Sequence, residues 1–141
     1  MAKKALILID IQNEYFENGI LELVNPGPAS ENAGKLLQHF REQNLLVVHI
    51  QHISPAGAPF FVKGTDSVEI HDNVKPANGE MIFVKQFPNS FRDTDLLDFL
   101  ESNEVSDVVI AGMVGKQCFA YSYYLTAKEQ CNYEGGQVCF S

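Results

Sequence analysis

Four short apolar runs constrain the architecture of this chain more than any other feature. Lys4-Ala5-Leu6-Ile7-Leu8-Ile9-Asp10 is apolar without alternation until Asp10 closes it. A strand with one wet face alternates, so a continuous run predicts a strand buried on both faces, as in parallel sheets. Leu45-Leu46-Val47-Val48-His49-Ile50, Met81-Ile82-Phe83-Val84 and Val108-Val109-Ile110-Ala111 repeat the pattern. Segments with helical spacing separate them. Ser30 is placed to cap a helix to about Gln43, with Ala33, Leu36, Leu37 and Phe40 inward. Thr94 is placed to cap another to about Ser102, with Leu96, Leu97 and Leu100 inward, and a third spans about Gln117 to Glu129. The order is β, α, β, long loop, β, α, β, α, which predicts an α/β fold with a parallel sheet covered on both sides. Residues 11–28 read as loop, broken by Asn18-Gly19 and Pro26-Gly27-Pro28. Residues 51–80 are the longest irregular stretch, and a loop of that length in a compact domain is usually functional.

Composition excludes several function classes. With 141 residues, 45% of them hydrophobic, residues 1–141 form a single domain with a sizeable core. No apolar run approaches the roughly 18 residues of a membrane span. Met1-Ala2-Lys3-Lys4 is basic, but the apolar stretch behind it stops at Asp10, too early for a secretory signal. A cytoplasmic protein is therefore expected. Eighteen acids against ten bases, a net charge of −8, argue against a nucleic-acid partner. Cys118, Cys131 and Cys139 show neither paired spacing nor partnered histidines, so no disulfide framework or structural zinc is expected. The acids between Asp93 and Glu104 read as a solvated face.

Ligands of open parallel sheets bind at the carboxyl ends of the strands. Asp10 closes the first strand, Lys85 closes the third, and Cys118 follows the glycine-bounded turn after the fourth. Singly, each has an ordinary reading: a turn cap, a surface lysine, a small buried side chain. Together they supply a nucleophile, a base and a cation on one edge of the sheet. A helix N-terminus and a nearby ammonium both favour a cysteine thiolate. Asp10 is placed to take the thiol proton and later to activate a water. Backbone N–H groups of the turn before Cys118 are placed to hold an oxyanion.

At this point the chain resembles the isochorismatase-like cysteine hydrolases. The matching segments are Leu8-Ile9-Asp10-Ile11-Gln12-Asn13-Glu14-Tyr15-Phe16 and Val47-Val48-His49-Ile50-Gln51-His52. Gly79-Glu80-Met81-Ile82-Phe83-Val84-Lys85 with Asn89-Ser90-Phe91, and Val109-Ile110-Ala111-Gly112-Met113-Val114-Gly115-Lys116-Gln117-Cys118, follow in the same order and spacing. The resemblance covers about residues 3–129. It implies a three-layer α/β/α fold with a mostly parallel, open, Rossmann-like sheet. It also implies an Asp10–Lys85–Cys118 triad that hydrolyses a small-molecule amide or ureido C–N bond through a thioester, without a cofactor. The name-giving branch of the family instead hydrolyses a vinyl ether. A cis peptide at Val114-Gly115, aiming N–H groups at the oxyanion, is implied by position. Gln12, Phe16, His52 and Phe119 are candidate pocket residues, and Phe60 and Phe61 are further aromatics that could line it. Relatives are often dimers or tetramers, so a homo-oligomer is expected.

The chain departs from the family pattern at Gly115, where Thr is common, and at Phe119, where Val is common. Residues 131–141 form an atypical tail, so the usual last strands and helix are expected to be missing. Gln137 to Phe140 then either supply a short fifth strand or leave the fourth strand at an edge. Some relatives bind a metal through an Asp and two His after the second strand. His49 and His52 are three apart and on a strand point to opposite faces, so no metal is expected, and His49 is read as a sheet residue. Two rival classes stand beside the enzyme: a family member kept as a binding scaffold without turnover, and a flavodoxin-like or receiver-type domain. The second lacks the phosphate loop and the phosphate-accepting Asp that such domains need.

Overall fold

The computed structural model describes residues 3–113 and the backbone of 139–140. Its strands are β1 (Lys3–Ile9), β2 (Leu46–His52), β3 (Met81–Lys85), β4 (Val105–Gly112) and β5 (Cys139–Phe140); its helices are α1 (Pro26–Glu42) and α2 (Leu96–Ser102). The sheet order is β3-β2-β1-β4-β5. β1 pairs in parallel with β2 and β4, and β2 with β3, as the unbroken apolar runs predict.

Alternate strand residues feed two cores. Leu6, Leu8, Val47, Val109 and Ala111 pack with Ala33, Leu37 and Phe40 of α1. Ala5, Ile7, Ile9, Val48, Ile50, Val108 and Ile110 pack with Leu96 and Leu100 of α2. One helix therefore lies on each face, giving the three layers. The central strands are buried on both sides, which is why their sequences do not alternate.

Several boundaries differ from the sequence expectation. α1 begins at Pro26, not at Ser30. Proline suits the first turn of a helix, where its missing N–H has no partner to lose, so Pro26-Gly27-Pro28 opens the helix instead of blocking it. Asn25 turns the chain into it in a left-handed conformation (φ 53°). Ser30 lies inside the helix and its hydroxyl donates to the Gly27 carbonyl at 2.8 Å. α2 starts at Leu96, and Thr94 donates to the Ser90 carbonyl instead of capping the helix. β2 runs on to His52, and β4 starts at Val105, where a register shift opposite Lys3 and Lys4 hides the pairing from the apolar pattern. β5 pairs antiparallel with β4, Val109 opposite Phe140 and Ile110 opposite Cys139, so the tail supplies a fifth strand.

The 51–80 segment is a packed lobe. Short 3₁₀ turns at Asp66–Val68 and Asp72–Val74 bury Val68 and Val74 in the α1-side core. A single bridge joins Gln12 to Ile70. The helix expected over 117–129 lies outside the described residues.

Candidate active site

The carboxyl edge of the sheet gathers two of the three proposed catalytic groups. Asp10 follows β1 in a left-handed conformation (φ 56°), a region that costs most L-residues energy and that short polar side chains tolerate best. Such backbone strain tends to persist at functional sites. Lys85 ends β3, two strands away, and its side chain reaches past the end of β2. Its Nζ lies 3.0 Å from Asp10 Oδ2 and donates to the Pro88 carbonyl at 3.1 Å. Asp10 is 3% exposed and Lys85 1% exposed. A lysine this buried persists only when paired. The ion pair is thus a fixed charge arrangement at the place where parallel sheets bind ligands.

His52, register partner of Lys85, stands beside the pair. Burial pushes its imidazole below the ordinary value; nearby Asp10 opposes that shift and Lys85 adds to it. Its ring meets Phe61 edge-on at 4.9 Å. Gln12 fixes the His52 backbone from both sides: its Nε2 donates to the His52 carbonyl and its Oε1 accepts the His52 N–H, both at 2.8 Å. The same Nε2 donates to the Val68 carbonyl. Gln12, a candidate pocket residue, is fully buried, and its amide pairs with the last residue of β2. Phe16 is half-buried, with its ring stacked 3.7 Å from His71. Phe60 is partly exposed and Phe61 buried.

Sequence reasoning missed Glu14. It is fully buried, and its carboxylate accepts the Ile20 N–H at 2.8 Å and the Phe61 N–H at 2.9 Å. Phe61 itself is left-handed (φ 52°), and its carbonyl accepts the Ser54 N–H. Glu14 therefore holds a strained aromatic under His52. No sequence signal marks this, because its partners are backbone amides.

His49 takes a different role from His52. Its Nε2 meets Glu80 at 2.7 Å, and Arg41 grips the same carboxylate through Nε and Nη2. Burial pushes Glu80 up, but hydrogen bonds from Arg41, Ala77 N–H and His49 outweigh it and bring the carboxyl down to about 2. Burial holds His49 below its ordinary value against the pull of Glu80, so the neutral ring donates to an ionised carboxylate. His49 Nε2 is thus taken up by Glu80 and is not offered to a metal. Among the described residues no cluster of three His, Cys, Asp or Glu is suited to hold one.

The described chain leaves β4 at Gly112, register partner of Ile9, so it departs beside Asp10. Val114, Gly115, Cys118 and Phe119, and with them the expected oxyanion turn and cis peptide, lie outside the described residues.

Residues 4–127 match the model of the isochorismatase domain. An uncharacterized isochorismatase family protein of Bacillus subtilis, YddQ, is 43% identical over 96% of this chain and 72% of its own length. The maleamate amidohydrolase of Pseudomonas putida is 32% identical over 85% of this chain and 63% of its own. A crystal structure from Oleispira antarctica, described as an isochorismatase hydrolase, superposes with a TM-score of 0.76 at 42% identity, covering 79% of this chain and 61% of that one. The chain thus spans between about three-fifths and three-quarters of the length of these relatives. The strand-end ion pair, the parallel sheet around it and these matches agree: the chain belongs to the isochorismatase family of hydrolases.

Proposed function

We propose that this protein hydrolyses a C–N bond of a small amide or ureido compound with Cys118 as nucleophile. The observation that carries this reading is the buried Asp10–Lys85 pair at the carboxyl edge. An ion pair there does nothing for the core that an apolar pair could not do as well. It does supply a base and a fixed positive charge. The maleamate amidohydrolase relative supports the bond type.

In this scheme Asp10 takes the Cys118 proton, and Lys85 favours the thiolate and the charge that follows. The sulfur attacks the carbonyl carbon. The tetrahedral oxyanion is held by backbone N–H groups of the turn before Cys118. The C–N bond then breaks, and the leaving nitrogen takes the proton from Asp10. Asp10 next removes a proton from water, whose oxygen attacks the thioester. The carboxylic acid leaves and the thiol is restored, so protons and electrons balance. Phe16, His52 and Phe119 are proposed to shape the pocket. The protein is proposed to work as a homo-oligomer in the cytoplasm without cofactor; sedimentation of the purified chain tests the assembly.

A panel of primary amides and ureido acids, assayed by ammonia release, tests the reading. Turnover by the wild type that is abolished by Cys118→Ala is the expected result. Turnover that survives Cys118→Ala overturns it. A chain that folds, binds amides and releases nothing from any of them favours the scaffold reading.

A further inference from the structure

β3 lies at one end of the sheet order, with β2 as its neighbour among the described residues. Met81, Ile82 and Val84 are 40%, 44% and 47% exposed, whereas every apolar residue of β1 is buried. Side chains alternate across a strand, so Ile82 and Val84 emerge on one face and Met81 on the other, beside the half-buried Phe83. Edge strands are commonly guarded by a free charge, a proline or a bulge. β3 has none of these. Its register with β2 is unbroken. Glu80, just before it, is bound to Arg41 and His49, and Lys85, at its end, turns inward to Asp10.

The main chain of this edge matches itself. The Lys85 carbonyl accepts the Ile53 N–H at 3.0 Å, so the main-chain groups of Lys85 face β2. Main-chain groups alternate in direction along a strand, so those of Met81 and Phe83 also face β2, and those of Ile82 and Val84 point out of the sheet. An antiparallel second copy, related by a two-fold axis at Phe83, meets them in kind. Ile82 of each copy then stands opposite Val84 of the other, as pairs that exchange both hydrogen bonds. Phe83 meets Phe83 at the centre as the closer pair without hydrogen bonds, on the face where its ring already meets Phe99 edge-on at 5.4 Å. β-branched pairs on one face and an aromatic pair on the other are the cross-strand contacts that stabilise antiparallel strands.

We propose that β3 is a dimer edge, on which a second copy of this chain pairs antiparallel to make one sheet running through both. Hydrogen bonds and apolar surface are both self-complementary about the two-fold, as an isologous contact requires. Charge points to the same place. Each copy carries −8 and repels another at long range, so contact is favoured where no free charge stands, and the charges at the ends of β3 are both paired inward. A two-fold also closes both edges at once, where a head-to-tail addition leaves one open. A five-residue strand is a small contact beside the roughly 800 Å² per partner of a standard interface, so the dimer is expected to be reversible. The proposed homo-oligomer thereby gains a surface and a symmetry, neither of which depends on the chemistry at Asp10 and Lys85.

Sedimentation velocity of the full chain over a range of concentrations tests this. The wild type is expected to pass from monomer to dimer as concentration rises. Val84→Lys and Ile82→Glu each set a charge against an apolar residue of the other copy, and each is expected to raise the dissociation constant at least about tenfold. Mixed one to one, the two variants bring Lys against Glu across the axis, and native mass spectrometry is expected to show a heterodimer. Phe83→Cys reads the register without a charge. Opposed residues of a close pair have Cα atoms about 4.5 Å apart, within disulfide reach, so mild oxidation is expected to link the copies at position 83. A wild type still monomeric at about 1 mM overturns the proposal. A dimer that survives both charge variants also overturns it, and moves the assembly to another surface. Failure of Phe83→Cys to cross-link where the wild type is dimeric overturns it whatever the charge variants do. Ammonia release is read separately, so none of these results decides the hydrolase reading.

Discussion

Asp10 and Lys85 show how much a single residue position can reveal. Each follows an apolar strand, and the carboxyl edge of a parallel sheet is where such residues meet. Their 3.0 Å contact makes one stability prediction. Lys85→Met leaves a buried carboxylate without its ammonium, which costs about 3–5 kcal/mol. Urea unfolding monitored by circular dichroism checks this; a loss under about 1 kcal/mol would show that the pair is solvated in the native state. Gln12 and Glu14 were not legible in the same way. Their partners are main-chain groups 40 and 47 residues distant, and a backbone amide has no residue type to read. Glu14→Ala orphans the Phe61 and Ile20 N–H groups, at a cost of about 1–3 kcal/mol each if they stay buried. Its effect should appear as faster proteolysis within 54–61 before global unfolding.

Elements add a second kind of information, the contacts between them. The apolar runs revealed β1 to β4 because their faces are both covered, but not the start of β4. Val105 and Asp107 pair with Lys3 and Lys4, with Ser106 the extra residue at the register shift between them, and no apolar run marks the stretch. α1 meets the 51–80 lobe at Gly34, where a Cβ would stand 2.7 Å from the Asn73 carbonyl oxygen. Alanine is the better helix former by about 1 kcal/mol. Here the overlap is with backbone, and Asn73 is further tied by its side chain to Ser30. Gly34→Ala is therefore predicted to lower the melting temperature, since overpacking costs about 1–3 kcal/mol. A raised melting temperature would show that the lobe gives way.

Across the whole molecule, protonation couples fold to pH. His49 and His52 are held below the ordinary value of 6.5. The unfolded chain therefore binds protons first as pH falls through 6.5, and stability declines from there. Glu80, ordinarily at 4.5 and here at about 2, extends the decline to lower pH, because its native charge is lost only after the unfolded one. Urea midpoints between pH 7 and 5 should fall, with a shallower slope in His49→Gln. An equal slope would place His49 outside the linkage. The fold class was legible because it follows from burial and topology, and so was the meeting of Asp10 with Lys85 at the carboxyl edge of the sheet. The clamp of Gln12 and the Glu14 pivot became visible only in three dimensions.

The triad itself is most directly tested by the pH dependence of Cys118 alkylation, followed site by site by mass spectrometry. Cys131 and Cys139 serve as internal references, since an unperturbed thiol titrates near about 8.5. Cys118 is expected to label rapidly well below that pH, and Lys85→Ala or Asp10→Asn to move its profile. If Cys118 labels no faster than the other two, and neither substitution moves it, the Asp10–Lys85 pair does not activate a nucleophile and the proposed chemistry is wrong.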